Sequence, residues 1–154
     1  LGKTYHEVFS DKFINYAWMM DLFAVAHNDL ERLLKAGKNI ILDRYILSAQ
    51  VYSLATTTED ISNCFDIYSL LPSPDICIYL SVDVNKAIKR IEERGEEITF
   101  YENVDGLLKI IREYERMIPK ETKYPIEIID GGEDFKCVYT KCLSVLNKYD
   151  IIYD

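Results

Sequence analysis

Residues 39–52, NIILDRYILSAQVY, set a short apolar run against a charged pair and follow it with hydroxyl and aromatic groups. The guanidinium of Arg44 is a planar fork that can grip two phosphate oxygens at once. Asp43, beside it, is a hard oxygen donor suited to a magnesium-bound water or a ligand hydroxyl. Ser48 can donate a hydrogen bond from the turn that follows, and Tyr52 can cover a ligand from the next helix. The plainer alternative is a salt bridge and helix cap at the end of a strand. Little other chemistry is on offer. The four cysteines, at 64, 77, 137 and 142, contain no C-x-x-C pair, and His6 and His27 lie far from them in sequence. That is poor metal spacing and a weak disulfide framework. The expectation is that the cysteines are small core residues in a reducing compartment.

An apolar run ending in a charged pair is the pattern of a buried parallel strand whose carboxyl end opens onto a site. The pattern therefore predicts a strand at 39–42 that delivers Asp43 and Arg44 to the sheet edge. Upstream, Phe13, Tyr16, Ala17, Met20, Phe23, Ala24 and His27 recur at three- and four-residue steps. This predicts a helix over 11–36, with Gly37 as its stop. Further helices are expected at 48–54, 61–71, 84–93, 104–118 and 134–146, the last capped by Asp134. Strands are expected at 76–82 and 126–129, a turn at Gly131-Gly132, and a loop over 94–102. Strands alternating with helices of ten residues or more imply an α/β fold with a parallel sheet covered on both faces.

The chain has 154 residues, which predicts one domain. Hydrophobic residues make up 49% and charged residues 29%, so the composition is that of a globular domain able to bury a core without staples. Six glycines and four prolines exclude collagen-like and low-complexity classes. The apolar runs are short and broken by charge, which predicts no membrane span, and no basic start leads into an apolar core. A formal net charge of −8 argues against binding a nucleic-acid polymer over the whole surface. An anionic ligand would need a local group of arginines.

The stretch around Asp43 and Arg44 resembles the D-R-[YH]-x-x-S signature of thymidylate kinases, which make dTDP from dTMP and ATP. LFAVAH at 22–27 is similar to that family's L-F-x-x-x-R on the helix holding the thymine base. PSPDICIYLSVDVNKAIKRIEERG at 72–95 resembles its P-x-P-D strand and the helix leading to the lid. Tyr101-Glu102 matches the Y-E or F-E pair after the lid, and REYERM at 112–117 the helix beyond it. IIDGGEDF at 128–135 resembles the strand end and loop near the adenine.

The resemblance implies a P-loop NTPase-like, three-layer nucleoside monophosphate kinase fold over 1–154, with ATP and Mg2+ as cofactors and dTMP as acceptor. It implies that Asp43, Arg44, Arg90 and Arg94 are catalytic, with Asp43 toward the metal. Phe23, His27, Arg44, Ser48, Gln50, Tyr52, Tyr101 and Glu102 would bind the acceptor. Phe23 would stack on the base, and Tyr101 and Glu102 would line the deoxyribose, where a tyrosine crowds out a 2′-hydroxyl, a duty that Tyr52 would share. Arg90, Arg94, Asp130, Gly131 and Gly132 would bind ATP. The family usually has arginine where His27 stands, so one hydrogen bond replaces a fork, and a different deoxynucleotide acceptor is the alternative. The lid stretch EEITF has no arginine, unlike members that carry their catalytic arginine there. Arg90 and Arg94 could instead be a solvated face among Glu92, Glu93, Glu96 and Glu97.

Family members open with a strand, a glycine-rich phosphate loop and its helix. Gly2-Lys3-Thr4 imitates the end of such a loop, but the resemblance aligns LGK with the second helix instead. It therefore implies a first β–α unit and the next strand, roughly 30 or more residues, ahead of Leu1. A binding module that kept the monophosphate pocket and lost catalysis is the other alternative. The family's homodimers imply a dimer face at Trp18-Met19-Met20, and a cytoplasmic protein is expected.

Overall fold

The computed structural model describes residues 5–57, 60–95 and 101–151, with the side chains of residues 5 and 6 excepted. The Gly2-Lys3-Thr4 stretch, part of the polar break at 56–60 and the lid stretch 96–100 lie outside the described residues. The chain divides into two compact units, Leu1–Ser73 and Pro74–Asp154.

The first unit is helical. Helix α1 (Tyr5–Val8) precedes α2 (Asp11–Val25), where the Ser10 hydroxyl accepts a 3.3 Å hydrogen bond from the Phe13 N–H and caps the first turn. The helix continues through one π turn (Ala26–Leu30) into α3 (Glu31–Lys35). It closes at Gly37, whose φ of +69° is cheap only for glycine. The Gly37 N–H donates to Leu34 O at 2.9 Å and the Lys38 N–H to Leu33 O at 3.1 Å, the pairing of a Schellman stop. The expected long helix and its stop are thus present, with an extra residue wound into the middle. Helix α4 (Ile46–Thr56) is longer than expected, and the 61–71 helix is a 3₁₀ segment, Ser62–Leu70. Met19, Ala26, Leu30, Ile46, Tyr68 and Leu71 form the core of this unit. Burial pushes the Tyr68 hydroxyl up to about 12. The Asn15 amide, 2% exposed, donates to Asp11 O at 3.0 Å and to Thr56 Oγ1 at 3.4 Å, and so ties α2 to α4.

One expectation fails here. Residues 39–42 form no strand, and Ile41 is 91% exposed. An apolar run becomes a buried parallel strand only when another strand supplies its hydrogen bonds. Among the described residues the two strands pair with each other, in the second unit, and none runs beside 39–42. Asp43 and Arg44 therefore sit on an exposed turn before α4.

The second unit contains β1 (Cys77–Ser81), α5 (Val84–Arg94), α6 (Val104–Met117), a 3₁₀ turn (Ile118–Lys120), β2 (Ile126–Asp130) and α7 (Phe135–Lys148). Strands β1 and β2 are parallel, in register from Cys77 opposite Ile126 to Ser81 opposite Asp130. The two helices between them make the crossover that parallel pairing requires. Asp83, Asn103 and Asp134 cap α5, α6 and α7 with side-chain oxygens that accept from the first-turn N–H groups. The Tyr79 ring of β1 stacks on Tyr114 of α6 with centroids 4.6 Å apart. The sheet is less covered than expected, because Leu80 and Ile128 are exposed. The cysteines also depart from expectation: Cys137 is exposed and the other three are only partly buried, all with free thiols. Cys137 follows the Asp134 cap on the first turn of α7, where helix geometry rather than polarity sets its exposure. No helix among the described residues is long and apolar enough to cross a membrane.

Candidate active site

Asp43 and Arg44 occupy the turn that feeds α4. Arg44 has a φ of +70°, a left-handed conformation that side chains with a Cβ rarely adopt. The chain on its C-terminal side is fixed. The Tyr45 hydroxyl donates to Pro72 O at 3.1 Å, the Ala49 N–H donates to Tyr45 O at 2.9 Å, and Ile46 and Leu47 are buried. Burial also raises the Tyr45 pKa. The Arg44 guanidinium lies 4.7 Å from the ring centroid of Tyr52, which α4 carries about two turns further on. Ser48 and Tyr52 are four residues apart and share a face of α4; Gln50 lies between them on a different face. The structure brings Arg44 and Tyr52 together, and keeps Asp43 exposed beside them.

The other pair in this unit also comes together. Phe23 and His27 line one groove of about 420 Å³ with Met20, Ala24, Glu31, Leu70 and Leu71. His27 lies within the π turn, where the Glu31 N–H reaches back five residues to Ala26 O. Such turns frequently mark functional sites. His27 Nδ1 stands 3.7 Å from Glu31 Oε1, an approach too long for a hydrogen bond. Neither the π turn nor Glu31 in the groove was legible from residue spacing, because the expected spacing assumed an unbroken 3.6-residue period.

In the second unit Arg90 and Arg94 are engaged. The Arg90 guanidinium donates to Gly131 O at 2.9 Å, and the Lys86 ammonium to Gly132 O at 2.7 Å. The Asp130 carboxylate accepts from the Gly132 N–H at 2.7 Å, and the Gly131 N–H donates to Ser81 O at 2.8 Å. The N–H groups of both glycines are thus used within the fold. Lys86 was missed by sequence reasoning, although the spacing 86, 90, 94 places all three cations on one stripe of α5.

Arg94 Nη2 lies 2.9 and 3.1 Å from the two carboxylate oxygens of Glu102. Tyr101 and Glu102 are set against the start of α6, where a Cβ on Gly106 would come within 2.6 Å of the Tyr101 carbonyl oxygen. A side chain at 106 would push these two residues away.

No group of three or more metal-ligating side chains stands together among the described residues. Magnesium in phosphoryl-transfer sites uses one or two carboxylates with waters and substrate phosphates, and the single exposed carboxylate of Asp43 fits that pattern.

A family model described as thymidylate kinase matches residues 3–141, nearly the whole chain and both units. The chain belongs to the thymidylate kinase family. Members have the P-loop NTPase fold, and the structure is α/β with a parallel sheet. The chain is 34% identical over 124 residues to a probable thymidylate kinase of Methanococcus vannielii, covering 76% of this chain and 59% of that protein. It is 31% identical over 116 residues to a thymidylate kinase of Leptospira borgpetersenii, with 73% and 53% covered. A thymidylate kinase of Dictyostelium discoideum is 37% identical over 93 residues, with 60% and 40% covered. The chain therefore spans about 40–59% of the length of these relatives.

Proposed function

We propose that this chain carries the acceptor and lid sides of a thymidylate kinase, transferring the γ-phosphoryl group of ATP to dTMP to give dTDP. The observation that carries this reading is the Asp43-Arg44 turn, where an arginine is held in a left-handed conformation at the start of α4. Backbone strain of that kind is kept where the surroundings demand it, most often at binding sites. A family match running unbroken through residues 3–141 supports treating 1–154 as one kinase domain.

Arg44 holds the 5′-phosphate of dTMP, with Ser48 assisting from α4; Gln50, on a different face of that helix, binds the acceptor away from the phosphate. Asp43 would hold Mg2+ through water, and the ion would neutralise charge on the transferring phosphates. Phe23 stacks on the base and His27 donates to its edge. Tyr101 and Glu102 line the deoxyribose. Arg94 meets the ATP phosphates; Arg90, which donates to Gly131 O, holds the turn 130–132 beside the adenine. A 5′-phosphate oxygen of dTMP attacks phosphorus in line as the bond to the ADP oxygen breaks. No covalent enzyme intermediate is required, because positioning and charge stabilisation supply the catalysis. The protein acts as a cytoplasmic homodimer. Trp18 is exposed, Met19 is buried and Met20 lines the Phe23–His27 groove, so of the expected face at 18–20 only Trp18 is left for a dimer contact.

The test is ADP formation by the full-length protein with ATP and each deoxynucleoside monophosphate. Turnover that depends on dTMP is expected. Nucleotide binding without ADP would favour a non-catalytic module, and neither binding nor turnover would overturn the reading. His27 favours a second reading, a different deoxynucleotide acceptor, which predicts faster turnover with a monophosphate other than dTMP.

A further inference from the structure

The Gly131-Gly132 turn has no side chains of its own to anchor it, and glycine loses more freedom on folding than any other residue. Its backbone groups are held by partners instead. Gly131 is buried against the end of β1, where an added Cβ would come within 3.1 Å of Leu80 Cβ and Val82 Cγ2, and its N–H donates to Ser81 O at 2.8 Å. Gly132, one residue further out, is held by side chains. Its N–H donates to the Asp130 carboxylate at 2.7 Å, and its carbonyl accepts from the Lys86 ammonium at 2.7 Å. These two groups close on the glycine: a Cβ at 132 would lie 2.9 Å from Asp130 Oδ1 and 3.2 Å from Lys86 Nζ. Lys86 is otherwise exposed, and a long side chain held at one carbonyl gives up rotamer freedom for that bond. It reaches the turn from the start of α5, four residues before Arg90, which takes the Gly131 carbonyl.

We propose that Lys86 is a positioning residue for the donor nucleotide: it fixes the Gly132 carbonyl, and with it the turn beside the adenine. This role rests on the reading of 130–132 as the donor-base turn given above. It differs from a phosphate contact. A cation that attracts phosphate acts on any polyphosphate, whereas one that acts through the turn affects only a ligand that carries the base. A turn fixed beforehand does not have to be ordered when ATP binds, and that saving appears as affinity.

The experiment titrates the full-length protein with ATP, with tripolyphosphate and with dTMP by calorimetry. Lys86→Met keeps the alkyl stem and removes the ammonium. It should weaken ATP about two- to tenfold, the range for one hydrogen bond net of its solvation, and leave tripolyphosphate and dTMP unchanged. Lys86→Arg, which can still donate to the carbonyl, should restore most of the ATP affinity. The ratio of ATP to tripolyphosphate affinity decides the matter even if Lys86→Met lowers the melting temperature, because both ligands bind the same folded protein. Equal losses for ATP and tripolyphosphate would place the ammonium on the phosphates and overturn the proposal, as would no loss for ATP. A wild-type protein that binds ATP no more tightly than tripolyphosphate would instead refute the donor-base reading of the turn, and the positioning role with it.

Discussion

Arg44 offers a test in which two substitutions differ in stability but not in acceptor binding. At φ +70° a residue with a Cβ carries about 1–2 kcal/mol of backbone strain that glycine does not. Arg44→Gly removes that strain. Against it stand about 0.5–1 kcal/mol for glycine's larger loss of freedom on folding and about 0.5–1 kcal/mol for the lost contact with Tyr52. The three nearly cancel, so Arg44→Gly should fold about as stably as the wild type. Arg44→Ala keeps the strain and loses the ring contact, so it should be less stable than Arg44→Gly by about 1 kcal/mol. Urea unfolding of the two variants reads that order directly. Acceptor binding should not separate them, because both lose a charge-assisted hydrogen bond to phosphate. That is about 1.5–3 kcal/mol, or roughly ten- to hundredfold in the dTMP dissociation constant. If Arg44→Ala proved the more stable, the left-handed turn would be refuted. If dTMP bound both variants as tightly as the wild type, the phosphate role of Arg44 would fall.

Gly106→Ala should lower stability by about 1–3 kcal/mol, because its Cβ would meet the Tyr101 carbonyl at 2.6 Å; the urea midpoint measures this. The same variant should raise the KM for the acceptor if Tyr101 and Glu102 line its sugar. Hydrogen bonds from Lys148 and then Tyr149 hold the Glu127 carboxyl below the usual glutamate range. Its folded pKa is depressed, so its stabilising contribution is full above the unfolded value and fades as pH falls through the folded one. Glu127→Gln should therefore flatten the acid limb of stability against pH, seen as a smaller fall in melting temperature below about pH 4.5. Ile61→Ala, at a site only 1% exposed, should cost about 2–5 kcal/mol by urea unfolding.

Much of this molecule was legible in its residue order because much of it is local. Helix spans follow from apolar spacing, and their ends follow from Ser10, Gly37, Asp83, Asn103 and Asp134, whose capping chemistry acts within a few residues. The pairs at 23 and 27 and at 90 and 94 were legible for the same reason, since a helix brings together residues four apart. What the tertiary structure decided is where long-range partners matter. The apolar run 39–42 has the composition of a strand, but a strand exists only beside another strand, and among the described residues none pairs with it. Lys86 and Arg90 acquire their partners only because the sheet returns Gly131 and Gly132 to the start of α5, some forty residues later in the chain. The ring of Tyr52 meets Arg44 because a left-handed residue turns the chain just before α4, and residue types alone do not specify that torsion.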